Sequence, residues 1–306
     1  IRDQPRSRGL GDVYKRQAIG LVYERNNKKF EIFANKEIIL CAGAIGTPHL
    51  LQVSGIGDAE YLKSIGIDPL YEIKNVGEGL QDHYAVRVAN KINLPISLNE
   101  KARGYKLFLE IMKWFILKKG LISYSPAHVG AFLKSSSEID YPDIQLDFTP
   151  ASYTEGMIGK LQEVPGITCG VWQSRPLSRG YVRSLSQNIK DAPIIQPNYL
   201  KEKTDQDVLV SGFKMCRALL KTSNMDKISV GETLPGQNIQ TDEEILNYLR
   251  NNGATVYHAI GSCRMGIDDY AVVTPSLKIK GLSLSLIHIS EPTRPRLISY
   301  AVFCLK

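Results

Sequence analysis

The sequence predicts an α/β protein: a sheet-and-helix unit interrupted by a second, β-rich unit that carries helices. Three observations support this. Residues 38–42 (Ile-Ile-Leu-Cys-Ala) are a short apolar run that leads into Gly43-Ala44-Ile45-Gly46 and then Thr47-Pro48. That order reads as a buried strand, a small-residue turn and a helix. From residue 85 the pattern changes to short alternating runs separated by amphipathic helices, which describes a sheet platform bearing helices. The chain has 306 residues, 43% hydrophobic and 23% charged, enough for one or two domains with real cores.

Taken in order, residues 18–23 and 30–34 flank the polar turn 24–29 and predict a hairpin. The buried strand 38–42 follows. Thr47 is placed to cap the next helix and Pro48 to occupy its first turn, with the helix covering 48–53. Gly and Ala at 42–44 let the backbone approach a bound group closely. Residues 58–65 predict a short helix stopped by Gly66, and 75–83 (Asn-Val-Gly-Glu-Gly-Leu-Gln-Asp-His) a glycine-punctuated loop ending in Asp82-His83. In the middle, strands are expected at 86–92, 143–148, 170–173 and 180–185. Helices are expected at 97–118, with Trp114 and Phe115 on its apolar side, at 204–220, and at 241–251 behind a Thr241/Glu244 capping box.

Composition excludes several functions. The formal net charge is +7, but residues 1–17 carry five basic and two acidic side chains, and residues 283–306 carry three and one. Without those ends the charge falls to +2, so a basic nucleic-acid groove is not expected. Both ends (GDVYKRQ and SLIHISEPTR are the marker strings) read as appended non-native sequence and are set aside. No apolar run is long enough for a spanning helix. The five cysteines show no metal-ligand spacing, so no metal is expected. Their scattered, odd number suits reduced thiols and a cytoplasmic setting, free or membrane-associated.

Two segments carry candidate chemistry. Thr255-Val256-Tyr257-His258-Ala259-Ile260-Gly261-Ser262-Cys263-Arg264-Met265-Gly266 holds a histidine whose ordinary pKa suits proton transfer near neutrality. Taken alone, such a histidine is more often a structural residue. Cys263 has no base placed beside it and reads as a packed thiol. Asp82 and His83 are expected to pair and fix their loop, with backbone contact to a cofactor left open.

Residues 43–57 resemble the second signature of the glucose–methanol–choline (GMC) family of flavin oxidoreductases, and 255–266 resembles that family's active-site segment. So do Val76-Gly77-Glu78-Gly79-Leu80-Gln81-Asp82-His83, with Gly79 where Asn is usual, Pro176-Leu177-Ser178-Arg179-Gly180-Tyr181-Val182, and residues 193–200. The resemblance, strongest toward bacterial choline and alcohol dehydrogenases, spans nearly all of residues 18–282. It implies a partial, Rossmann-like FAD-binding domain (18–84), a substrate domain (85–251) and a return segment to the FAD domain (252–282).

On that resemblance His258 is the catalytic residue. Ala42, Gly43, Ala44, Thr47, Pro48, Asp82, His83 and Ala259 face FAD. The implied reaction is oxidation of a primary alcohol to an aldehyde by hydride transfer to flavin, with the electron acceptor unspecified. Trp114, Trp172 and Tyr257 could form an aromatic cage around a quaternary ammonium group, though such residues are more often core. The family's opening Gly-x-Gly-x-x-Gly fingerprint and its second catalytic His or Asn have no counterpart here. An internal fragment, inactive as it stands, is therefore one alternative. A non-redox hydroxynitrile-lyase-type member is the other.

Overall fold

A computed structural model of the chain describes residues 11–12, 17–125, 127–154, 160–282 and 285–286. In chain order the main elements are β1 (Gly20–Arg25), β2 (Lys28–Phe33), β3 (Ile39–Leu40), α1 (Gly43–Val53), β4 (Ile56–Gly57), α2 (Ala59–Ser64), β5 (Tyr71–Glu72), β6 (Glu78–Leu80), β7 (Tyr84–Ile92), α3 (Leu98–Lys101) and α4 (Gly104–Leu117). These are followed by β8 (Val129–Leu133), β9 (Ile144–Thr149), β10 (Gly166–Gln173), β11 (Gly180–Arg183), β12 (Ile194–Gln196), α5 (Lys203–Leu220), β13 (Ser229–Leu234), α6 (Asp242–Asn252) and β14 (Ala254–Thr255). The chain divides into two compact units. Unit 1 comprises residues 1–82, 178–199 and 257–306, and unit 2 comprises 83–177 and 200–256. Residues 178–199, read from sequence as part of the substrate domain, thus belong to unit 1.

In unit 1, β1 and β2 form a hairpin whose turn residues Asn26 and Asn27 both have positive φ, the geometry that matches strand twist and that Asn tolerates. β4 pairs in parallel with β5, and β11 lies between β12 and β6. The core gathers Ile38, Leu40, Leu51, Val76, Cys263, Val272, Val273 and Ile279. Gln52 of α1 bridges this unit from inside. Its Nε2 donates to the carbonyls of Val76 and Val182, and its Oε1 accepts from Ser184 N–H. A buried amide so fully engaged fixes where three chain segments meet. The 1–17 and 283–306 ends lie mostly outside the described residues; within them, Gly11–Asp12 pairs with Gln17–Ala18 and Ser285–Leu286 runs parallel to β3.

Unit 2 is an antiparallel sheet in the order β8-β9-β10-β7-β13, with β14 also paired to β7. Along α5, Leu209, Phe213, Cys216 and Leu220 recur at helical spacing and are buried against Val86, Val88, Ile144, Leu146, Cys169 and Val171 of the sheet. Burial of each large apolar side chain is worth about 1.5–3 kcal/mol. α6 begins at the expected capping box: Thr241 Oγ1 accepts from Glu244 N–H, and Glu244 accepts from Thr241 N–H. Arg217 of α5 forms a forked ion pair with Glu232 of β13, both side chains about nine-tenths buried.

Several elements depart from the sequence reading. Helix α1 starts at Gly43, with Ala42 as N-cap and no side-chain cap. Thr47 is therefore a buried residue of the second turn, not the cap, and Pro48 sits inside the helix. The 97–118 helix is divided: extended backbone at Arg103 separates α3 from α4. The face of α4 bearing Phe115 is exposed, whereas the sequence placed it toward the core. Strands β8 and β13 carry no clean alternation in sequence and are set by their neighbours in the sheet.

Candidate active site

The site of unit 1 is assembled from the start of α1, the loop 76–82 and the segment 257–266. The loop and the segment run side by side. Gln81 and Ile260 exchange N–H···O bonds of 2.8 Å each, and Gly77 N–H donates to Ser262 O at 2.7 Å. Two residues with left-handed backbone face one another here, Gly79 (φ +80) and Gly261 (φ +89). A Cβ on Gly261 would lie 2.4 Å from Gly79 O, so only glycine permits this approach. At Gly79 itself a Cβ would meet nothing closer than Gly261 O at 3.6 Å, which leaves space where the resembling family usually carries an Asn side chain.

Pro48 explains how the segment attaches to α1. Proline has no N–H, so the carbonyl four residues back, that of Ala44, lacks its helical donor. Ser262, wholly buried, supplies the missing bond: its hydroxyl donates to Ala44 O. Thr47 and Pro48 are both buried, whereas Gly43 (φ +73) is exposed with open space around its Cβ position. The first turn of α1 has no acidic residue. Its backbone N–H groups and partial positive charge are therefore available to an electron-rich group.

Asp82 is buried and holds His258 in place. Its Oδ1 accepts from His258 N–H at 2.9 Å, and its Oδ2 accepts from the Tyr199 hydroxyl. The loop is thus fixed by Tyr199 and His258. Tyr257, the residue before His258, has φ +63, a costly conformation for a bulky side chain and one that collects at functional sites. His258 is half-buried, and the next residues, Ala259, Ile260 and Gly261, line a cavity of about 680 Å³ together with Gly79, Gln81 and Arg179. Arg179 donates to Ser178 O. Cys263 is buried, and burial pushes its thiol up to about 12, which makes it an inert packed group at neutral pH.

Unit 2 contains the remaining candidates. His83 Nε2 lies 2.9 Å from Ser174 O, and its ring stacks 6.3 Å from that of buried Trp172. Trp114 instead packs edge-on against Phe115 and beneath Lys118. Sequence reasoning missed Ser262 and Tyr199 as site residues. The signal for Ser262 was the helix proline, which obliges some donor to reach Ala44 O. Among the described residues, no group of three or more His, Cys, Asp or Glu could hold a metal ion, and no helix is long and apolar enough to cross a membrane.

Comparison with known proteins decides the family. Models described as GMC oxidoreductase match twice, an N-terminal model at residues 11–85 and a C-terminal model at 176–284. The chain belongs to the GMC oxidoreductase family. Oxygen-dependent choline dehydrogenase of Staphylococcus epidermidis (strain ATCC 12228 / FDA PCI 1200) is 34% identical over 271 residues, 87% of this chain and 47% of that protein. The enzyme of the same name from Staphylococcus aureus (strain JH9) is 35% identical over 271 residues, with the same coverage. The chain therefore spans about half the length of these GMC relatives.

Among solved structures, a formate oxidase superposes with a TM-score of 0.84 at 21% identity, covering 91% of this chain and 54% of that one. Pyridoxine 4-oxidase from Mesorbium loti superposes with a TM-score of 0.75 at 24% identity, covering 89% and 49%. The fold is accordingly that of GMC oxidoreductases, as the sequence predicted.

Proposed function

We propose that this GMC chain belongs to an FAD-dependent enzyme that oxidises a primary alcohol to an aldehyde, with His258 as the residue that takes the hydroxyl proton. The observation that carries the proposal is the construction around His258: a strained Tyr257, a buried Asp82 holding the His258 backbone, and a cavity that begins at Ala259. The residues present fit a flavin. The exposed, left-handed Gly43 and the uncapped first turn of α1 offer backbone N–H groups to electron-rich atoms. FAD, when bound, supplies the acceptor for the hydride that leaves the alcohol carbon.

The chain's own residues do the rest. Ala42, Gly43 and Ala44 present backbone to the cofactor, and Ala259 borders the cavity. Thr47 and Pro48, being buried, support that backbone instead of touching the cofactor. Asp82 acts through His258 and Tyr199, and His83 is anchored on Ser174. His258 receives or holds the alcohol proton as the carbonyl forms, a contribution of about 10²–10⁴-fold for a positioned acid–base group. Choline is the first substrate to test because of the choline dehydrogenases to which the chain is similar. The acceptor that reoxidises the flavin is left unassigned.

The test is anaerobic mixing of the flavin-loaded protein with a panel of primary alcohols that includes choline. Loss of the oxidised flavin's visible absorption, slowed at least about a hundredfold by His258→Ala, is the expected result. An unchanged rate in the His258→Ala protein would remove His258 from the reaction. Turnover of a cyanohydrin without flavin reduction would replace the oxidation with lyase chemistry.

A further inference from the structure

Tyr199 belongs to none of the three segments that assemble the site, yet the chain builds a strained turn to place it. The residues on either side both have left-handed backbone, Asn198 at φ +58 and Leu200 at φ +57. Asn tolerates that region, whereas a branched Leu enters it at a cost, and such strain persists only where the surroundings impose it. Asn198 is fastened by its side chain: Nδ2 donates to Arg179 O at 2.9 Å, and Oδ1 accepts from Gln196 Nε2 at 3.0 Å. The turn delivers a half-buried phenol whose hydroxyl donates to Asp82 Oδ2. The other oxygen of that buried carboxylate accepts from His258 N–H. A further strained residue, Tyr257 at φ +63, comes immediately before His258. One carboxylate therefore ties two strained segments of unit 1 together.

We infer that Tyr199 is a positioning residue for His258, acting through Asp82; its part in the reaction rests on the reading of His258 as the group that takes the alcohol proton. A carboxylate held at one oxygen can turn about its Cβ–Cγ bond, whereas one held at both has a single orientation. The phenol thus fixes the acceptor of the His258 amide, and that amide fixes where the imidazole begins. Proton transfer needs a reach of about 2.6–3.2 Å, and a misplacement of about 1 Å can cost a hundredfold. His258 sits between two anchors: the Asp82 bond on its own N–H, and the Gln81–Ile260 bridge two residues on. Removing the Tyr199 hydroxyl loosens the first anchor and leaves the second, so the effect of the change is local.

The experiment follows amide hydrogen exchange by NMR in the full, isotope-labelled chain without flavin, so that no turnover is needed. In Tyr199→Phe, which removes one oxygen atom, His258 N–H is expected to exchange at least about tenfold faster, as the weakening of a hydrogen bond to a charged group implies. Ile260 N–H should keep its wild-type rate. Ser184→Ala, which removes a buried hydrogen bond to His49 elsewhere in unit 1, is the control and should alter neither amide. In an Asp82→Ala background, Tyr199→Phe should change His258 exchange by less than about twofold, because its route of action is gone; Tyr199→Phe alone decides the matter should Asp82→Ala not fold. In the flavin-loaded protein, Tyr199→Phe is expected to lower kcat about ten- to a hundredfold with KM within about twofold. The inference is overturned if His258 exchange is unchanged in Tyr199→Phe, or if Ile260 speeds up equally, since the phenol would then only support the fold. Additive effects of the Tyr199 and Asp82 changes, or a normal kcat despite faster exchange, overturn it too. A wild-type protein whose flavin no alcohol reduces would sink the proposed oxidation, while the exchange rates would still decide whether Tyr199 holds His258.

Discussion

The bond between Ser262 and Ala44 makes a quantitative prediction, because its cause is a proline four residues away. Ser262→Ala leaves Ala44 O, at the partly buried start of α1, without a donor. An orphaned acceptor of this kind costs about 1–3 kcal/mol. In a Pro48→Ala background the restored backbone N–H at position 48 can donate to Ala44 O, as the helix would ordinarily require. Removing the serine should then cost well under about 1 kcal/mol, apart from the small loss of packing. The double-mutant cycle is therefore expected to give a coupling of about 1–2 kcal/mol, read from urea unfolding of the four proteins at one temperature. Ser262→Thr, which keeps the hydroxyl, should lie near the wild type. Strictly additive costs for Ser262→Ala and Pro48→Ala would refute the argument that this hydroxyl replaces the proline's missing donor. The coupling also reaches the site, since Ser262 O accepts from Gly77 N–H, next in the chain to Glu78 of the cavity lining.

Three further outcomes follow from the same geometry. Gly261→Ala must push its Cβ off Gly79 O and open the Gln81–Ile260 bridge, at about 3 kcal/mol or more, whereas Gly79→Ala, with open space around it, should cost only the left-handed backbone penalty of about 1–2 kcal/mol; comparing their urea midpoints checks this. Arg217→Ala strands Glu232 about nine-tenths buried and is expected to cost about 3–5 kcal/mol in chemical unfolding, while an apolar pair at both positions should cost less than either single change. The Glu244 carboxyl is held below its ordinary value by the N–H groups of Thr241 and Gln240. Its capping contribution is thus fully present above the unfolded-state pKa and fades as pH falls through the lower folded-state value. Stability measured from neutral into acid should show a steeper decline for the wild type than for Glu244→Gln.

How far the sequence could be read depended on whether a signal was local. The α5 and α6 helices were legible because their apolar spacing and the Thr241/Glu244 box are contained within each element. The GMC motifs were legible as strings, and they named His258, Asp82 and Ala259 before any contact was known. Local rules failed where a distant partner decided the outcome. Thr47-Pro48 is a good helix start by propensity, yet α1 starts five residues earlier because Ser262, 218 residues from Ala44, satisfies the carbonyl that Pro48 leaves open. Likewise the periodicity of 104–117 correctly announced a helix, but a hydrophobic pattern reports only that one face avoids water. It does not say whether that face meets protein or something outside the chain. In α5 the apolar face packs on the sheet; in α4 it stays largely exposed. The same sequence signal therefore stands for a packed face in one helix and an exposed face in the other.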